Sequence, residues 1–170
     1  MPTAPDISQL PTSPRWEFGK ALIDRLRMYE PIRPYVYEHL MTSPDQIKAL
    51  DAIVRQYSGL IAVVPQDLAN PTRDTTVRAA YLDCEYVISC GVWRGLGMDA
   101  TGITADEATD RLAATVISII QSWDISDRPY GSPVVTGDGD LAVVLGDKRL
   151  LQTRGISITA RIIHPTIAFD

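Results

Sequence analysis

The segment from Val77 to Trp93 alternates between two kinds of residue. Its even-numbered positions are mostly apolar and include Ala80, Leu82, Cys84, Tyr86, Ile88 and Cys90. The positions between them include the acids Asp83 and Glu85. Because successive side chains of a strand point to opposite faces, this pattern predicts one long strand with a dry face and a wetter face. A dry face needs a second layer to cover it, so the chain is expected to pack helices against a sheet.

Two amphipathic helices are predicted in the first third of the chain. The first runs from residue 16 to about residue 29, on an apolar stripe of Phe18, Leu22, Leu26 and Tyr29. Pro31 and Pro34 end it, because proline has no amide hydrogen to donate, and residues 35–41 are expected to resume as a short helical turn. The second runs to about residue 57 from a capping box, in which Ser43 caps the amide of Gln46 and Gln46 reaches back.

A third helix and several strands follow. The helix runs from Ala105 to about Ser122 behind the capping residue Thr104, and its stripe is wide enough to pack across the sheet: Leu112, Ala113, Val116, Ile117, Ile119 and Ile120. Short apolar or alternating runs predict strands at 59–65, 134–135, 141–145 and 156–162, with turns or bulges at Gly137, Gly139, Gly146 and Gly155 and a polar loop at 66–76. The predicted fold is α/β (α+β), with a single mixed or antiparallel sheet, helices packed on one face and a C-terminal β-hairpin region.

The length of 170 residues, with 45% apolar and 22% charged residues, is typical of one globular domain. We place this domain at residues 15–170. Residues 1–14 carry Pro2, Pro5, Pro11 and Pro14 among small polar residues, which predicts an extended N-terminal arm. Two interpretations of the arm stay open: a disordered terminus, or a segment that becomes ordered by lying on a neighbouring subunit.

The two cysteines and the N-terminus indicate a cytosolic chain. Cys84 and Cys90 are predicted in one strand, where six positions span about 20 Å at roughly 3.3 Å per residue, too far for a disulfide. They are interpreted as small apolar residues in a reducing compartment. The N-terminus has no basic and apolar signal-peptide regions, and no run of about 18 apolar residues predicts a membrane span.

The charge and the polar motifs favour no enzymatic chemistry. A net charge of −5 argues against a broad phosphate-binding surface. Asp138 and Asp140 beside glycines are more typical of a hairpin turn than of a calcium loop. The glycines that begin at Gly95 do not have dinucleotide-binding spacing, and neither His39 nor His164 lies in a nucleophile motif. We therefore predict no catalytic residue, no metal ligand and no cofactor.

Four segments together resemble the Mu-like phage tail terminator family. Leu60–Pro65 is similar to that family's first strand, Tyr81–Trp93 to its second strand, Asp110–Trp123 to its helix ending near a tryptophan, and Lys148–Arg161 to its terminal strand pair. The resemblance spans roughly residues 45 to 163. About 40 residues at the N-terminus, the arm and the first helix, have no counterpart in it, so what they contact is left open.

The resemblance implies a structural protein of the virion, assembled in the host cytoplasm. It implies a ring, of six copies, at the head-proximal end of the tail, where it stops growth of the tail tube and joins the tube to the neck. The implied partners are other copies of the chain, the tail tube protein, the neck or connector protein and the sheath protein. DNA passes through the ring without specific binding, which an acidic protein favours.

The subunit contacts of such a ring are expected at sheet edges, because unpaired strand edges are templates for pairing with another chain. The candidate contacts lie on or beside the predicted C-terminal hairpins and are Lys148, Arg149, Arg154, Ile156, Ile158 and Arg161. Two other interpretations stay open. One is a head–tail connector, a stopper or another neck or baseplate protein; the other is a small metal- or ligand-binding enzyme domain with Asp138 and Asp140 as acids or ligands.

Overall fold

The computed structural model describes residues 12–66, 72–74, 79–95, 102–124, 131–139, 142–146 and 149–165. The helices are α1 (Pro14–Arg27), α2 (Ile47–Tyr57) and α3 (Ala105–Gln121). The strands are β1 (Gly59–Pro65), β2 (Thr72–Asp74), β3 (Ala79–Gly95), β4 (Val134–Asp138), β5 (Ala142–Gly146) and β6 (Arg149–Pro165). This order confirms the predicted α+β class. None of the described helices is long and apolar enough to span a bilayer.

All strands join one antiparallel sheet in the order β1-β3-β6-β4. β3 and β6 form its central ribbon and pair along their whole lengths, from Ala79 opposite Pro165 to Gly95 opposite Arg149. β2 lies beside β3 in the same outer position as β1, and β5 lies beside β6 in the same outer position as β4. The sheet is therefore four strands wide, and the prediction of a single sheet is confirmed.

α1 and α3 cover one face of this sheet. The even-numbered residues from Cys84 to Cys90 in β3 and from Ile156 to Ile162 in β6 are all buried on this face, as the alternating patterns predict. Phe18 of α1 lies between them and α3, with its ring 5.4 Å from Tyr86 and 5.9 Å from Trp123. The main core thus lies between the two helices α1 and α3 and the central strands β3 and β6.

α1 approaches the sheet closely because of one glycine and one hydroxyl. A Cβ added at Gly19 would lie 2.7 Å from the side chain of Leu40 and 3.2 Å from the ring of Tyr86, so a larger residue there would push the helix away. The buried Tyr86 Oη donates a hydrogen bond of 2.5 Å to the carbonyl oxygen of Arg15. This bond satisfies the hydroxyl inside the core and anchors the first turn of α1 to β3.

α2 packs on the opposite side of β1 from the main core. Its Leu50 forms a small second cluster with Tyr37 and Ala62, whose neighbours Ile61 and Val63 belong to the main core. Because adjacent strand residues point to opposite faces, Ala62 faces away from α1 and α3. The helices are thus not all on one face, although the two that build the main core are.

Three local predictions are wrong and one capping prediction is right only in part. Gly155, predicted as a turn or bulge, lies within β6 in an unbroken register with β3. Residues 36–41 do not resume a helix but run extended beside β1. Part of the predicted loop at 66–76 forms β2, because its backbone pairs with the exposed edge of β3. Ser43 Oγ accepts from the amide of Asp45 at 3.2 Å rather than from that of Gln46, whereas Gln46 does reach back to the Ser43 amide at 3.0 Å. Residues 1–11 of the predicted arm lie outside the described residues.

Candidate subunit interface

The outer edge of β1 is covered by residues 36–42, which we call the covering segment. Val36 forms a parallel bridge with Ile61. The amide of Tyr37 donates to the carbonyl oxygen of Ile61 at 2.8 Å, and the amide of Met41 donates to that of Val63 at 2.9 Å. The main-chain acceptors of this edge are therefore occupied within the chain, which protects the edge from pairing with another chain.

Gln46 holds the covering segment in place. Its Oε1 accepts hydrogen bonds from the amides of Thr42 at 2.8 Å and Ser43 at 3.0 Å. Its Nε2 donates to the carbonyl oxygen of Leu40 at 3.0 Å and to Tyr37 Oη at 3.3 Å. One side chain thus satisfies polar groups along the segment, and its amide replaces the partners that a further strand would supply.

The opposite edge is formed by β4 and β5, and none of the described strands lies outside it. Among the described strands, each of these two pairs with β6 alone. β4 contains a register shift between Val135 and Gly137, and a bulge of this kind limits uncontrolled edge pairing without preventing it. Val134 at its start has 58% of its surface exposed. We call β4 and β5 the open edge.

Ile156 and Ile158, two of the predicted contacts, lie inside this chain's own core. Both belong to the main cluster under α1 and α3, and their exposed fractions are 0% and 1%. Their side chains are therefore not available to a neighbour in this fold, and a substitution at either position acts first on folding. Their alternation with polar residues gave the correct strand but not which face meets a partner.

Arg154 binds two acids of its own chain. Its Nε donates to Asp138 Oδ1 at 2.5 Å, its Nη2 bonds the other oxygen of the same carboxylate, and its Nη1 bonds Asp110 of α3. The hydrogen bond to Asp138 is the main cause that raises the pKa of the Arg154 guanidinium. This residue fixes β4 to α3 and so positions the open edge; a contact to another subunit stays a prediction.

Arg161 makes a bidentate pair with Asp83, directly opposite it in the register of β3 and β6. Arg161 Nε donates to Asp83 Oδ1 at 2.9 Å, and Nη2 donates to Oδ2 at 3.2 Å. The hydrogen bond from Arg161 lowers the pKa of the Asp83 carboxyl. The pair neutralises both charges on the sheet face that α1 and α3 leave uncovered.

The remaining residues singled out in the sequence are the basic residues of the C-terminal hairpin, Asp140, the two histidines and the glycines that begin at Gly95. Lys148 and Asp140 lie outside the described residues, and of Arg149 and His164 only the backbone is described. Arg149 pairs with Gly146 and closes the β5–β6 hairpin. The His39 ring is exposed, lies 3.8 Å from the Glu38 carboxylate and packs edge-on against Tyr37. Gly95 ends β3, and residues 96–101 are outside the described ranges.

A groove of about 720 Å³ lies between α1 and α3 on the outer surface. Its walls combine apolar, hydroxyl and guanidinium groups: Arg25, Met28, Tyr29, Ala114, Thr115, Ser118, Ile119 and Ser122. Such walls suit contact with a partly apolar surface. In the part of the chain that the structure describes, no three side chains of the His, Cys, Asp and Glu types gather at one metal-sized site.

The sequence missed two elements of this interface. Val134 and Val135 are both apolar, so no alternation marks Val134 as the exposed one; only its register opposite Thr159 places it on the other face. The covering segment was missed because Val36, Tyr37 and Leu40 are separated by three and four residues, as on one face of a helix, although they belong to an extended segment. The two prolines before it, which disfavour helix, were the available signal.

No family model matches this chain, and no curated protein matches it either. The resemblance to phage tail terminators therefore stays a prediction.

Proposed function

We propose that this chain is a phage-type tail terminator, a structural protein that closes into a ring at the head-proximal end of the tail. The ring stops polymerisation of the tail tube and joins the tube to the neck. The observation that carries this proposal is the difference between the two sheet edges. One edge is covered from within the chain, whereas no strand of the described ranges lies outside the other, where Val134 is exposed.

This difference suits a head-to-tail contact between copies, the kind of contact that builds a ring. A head-to-tail contact joins two different surfaces, and it closes when the rotation between copies completes a circle. Two equally open edges would instead permit sheet growth without a set end. A chain with one open edge and one covered edge has the two unlike sides that a closing ring needs.

The charge also supports the proposal. The net charge of −5 opposes tight binding of a polyanion, so DNA can move through a central hole without being held. Arg161 is neutralised by Asp83 and Arg154 by its two acids. The positive groups described on the sheet are thus occupied by acids of the same chain.

The experiment that tests the proposal measures the mass of the purified chain by light scattering and images it by negative stain, alone and with its tail tube protein. We expect a mass near six times 18.7 kDa, a central hole, and arrest of tube growth when the chain is added to polymerising tube protein. A chain that stays monomeric in both conditions and leaves tube length unchanged would overturn the proposal. Binding to neck protein but not to tube protein would point instead to a connector or stopper.

A further inference from the structure

We infer that, in the ring, β4 of one copy lies antiparallel against the covering segment of the next copy. The contact is head-to-tail and joins the open edge to the covered edge, not two open edges to each other. This inference rests on the proposed ring and names the two surfaces that meet in it.

The first support is that the two edges lie at the same height on the sheet. Val135 of β4 pairs with Ile158, which pairs with Tyr86, which pairs with Pro65 of β1. One row of residues therefore crosses the sheet from one edge to the other. A second row runs from Asp138 through Ile156 and Ile88 to Val63, the residue that accepts the hydrogen bond from Met41.

Because of these two rows, β4 is level with the end of β1 from Val63 to Pro65, where Met41 and the end of the covering segment lie; the other bond of the segment, at Ile61, is in the row of Arg154, beyond the end of β4. A neighbour placed beside this copy, without a shift along the strands, brings its covering segment opposite β4. A ring without rise whose strands run along its axis needs no shift between copies, since a shift along the axis at every step would give a helix.

The second support is strand direction. β1, β3, β6 and β4 are antiparallel in succession, so β4 runs opposite to β1. The covering segment runs parallel to β1, through the bridge between Val36 and Ile61. In a neighbour of the same orientation, the covering segment thus runs antiparallel to β4. Because Gln46 already bonds the amide of Thr42 and the carbonyl oxygen of Leu40, the two surfaces meet through their side chains and not through a hydrogen-bonded ladder.

The third support is the exposure of both surfaces in the single chain. Val134 and Thr136 on β4 are exposed. Glu38, His39 and Thr42 of the covering segment are exposed as well. The β4 side has an apolar residue and a hydroxyl, and the other side has polar groups. Contact of these surfaces removes Val134 from water while the polar groups remain at the rim.

Cysteine crosslinking tests this arrangement. The probe is a short bis-maleimide, and the variant is Thr136→Cys with Thr42→Cys, two exposed threonines on the two proposed surfaces. The natural thiols give little background, because both are buried and burial raises the pKa of Cys90 to about 12 and also raises that of Cys84. The matched control is Thr136→Cys with Met28→Cys, since Met28 is exposed at the C-cap of α1, away from both proposed surfaces.

We expect a ladder of covalent oligomers from the Thr136/Thr42 double variant, covalent dimers from a mixture of the two single variants, and no ladder from the control. Covalent dimers from Thr136→Cys alone would overturn the inference, because they require two open edges in contact. Rings in the microscope without the ladder would also overturn it and leave the proposed function standing. Monomers without any crosslink would contradict both.

A second measurement uses the unmodified chain, so it does not depend on the variants folding. Hydrogen exchange compares the chain below and above the concentration at which it assembles. We expect the amides of β4 and of residues 36–42 to become protected together on assembly. Protection of β4 without the covering segment would overturn the inference.

Discussion

β1 and β4 occupy the two outer positions of one sheet, but what lies against the outward-facing backbone groups differs between them. β1 has its outward acceptors at Ile61 and Val63 bonded to the covering segment, and Gln46 fixes that segment with four hydrogen bonds. β4 has a bulge and an exposed Val134, and within the described ranges no strand lies outside it. The chain thus uses several residues to cover one edge, and nothing in the described ranges covers the other; the proposed ring assigns that second edge to a neighbouring copy.

The largest effect is expected when the same charge is placed at two apolar residues, one in the core and one at the open edge. The first substitution should affect folding, and the second should affect assembly alone. Ile158→Asp places a charge in the core, which costs several kcal/mol, on the order of the 5–15 kcal/mol that stabilises a whole domain. We expect this variant to lose its cooperative urea transition, measured by circular dichroism.

Val134→Asp is the matched control, because it places the same charge on the open edge. We expect the control to keep its fold, with a free energy of unfolding within about 0.5 kcal/mol of the parent, as is usual for surface positions. A folded Ile158→Asp variant would contradict the described core.

The covered edge is tested through Gln46. Gln46→Ala removes four hydrogen bonds and leaves the amides of Thr42 and Ser43 without this acceptor, so the free energy of unfolding should fall by about 2 kcal/mol. The amides of Tyr37 and Met41 should exchange faster with solvent. Gln56→Ala, at an exposed position of α2, is the control and should change neither quantity. Equal behaviour of the two variants would show that Gln46 does not hold the segment.

The open edge is positioned by Arg154, which the next variant tests. Arg154→Ala removes the links to Asp138 and Asp110 and leaves two carboxylates near each other, so we expect a loss of about 1 kcal/mol in urea unfolding and weaker assembly. Arg111→Ala breaks only an exposed pair with Glu107 on α3 and should cost about 0.3–0.5 kcal/mol, with assembly unchanged. A control that weakens assembly as much as Arg154→Ala would argue against a special role for Arg154.

The smallest expected effect concerns the uncovered sheet face and depends on pH. Because Arg161 lowers the pKa of Asp83 below its ordinary value of 3.8, the folded chain holds this proton less tightly than the unfolded chain. The pair therefore adds stability above that ordinary value, and the contribution is lost as the pH falls through the lowered pKa. Asp83→Asn should cost less than about 1 kcal/mol at neutral pH and nothing in acid, measured by urea unfolding at each pH. A cost that persists in acid would show that the ion pair is not its cause.

Much of the fold followed from sequence patterns that local physics enforces. The alternation around Tyr86 and around Ile158 predicted both central strands and their buried faces, because successive side chains of a strand point to opposite faces of the sheet. Thr104 predicted the start of α3, where its hydroxyl accepts from the Glu107 amide at 3.2 Å. Such signals lie within a few residues of the feature they predict.

The features that failed depend on long-range pairing. β2 forms a strand because its backbone pairs with the edge of β3. Residues 36–41 are extended because their backbone bonds to the edge of β1. Ile156 and Ile158 were predicted as subunit contacts but are buried in the chain's own core. Alternation alone shows that a strand has two faces but not which face the chain itself covers. The exposed Val134 became recognisable only from its register with Thr159.

The central claim is that the open edge holds the ring together, and the most direct test compares the solution masses of the parent chain and Val134→Asp at equal concentration, with its tail tube protein present. The account predicts a parent ring of about six copies with a central hole, and a folded Val134→Asp chain at the single-chain mass of 18.7 kDa. A Val134→Asp chain that still forms the same ring would contradict the claim, as would a parent chain that forms none.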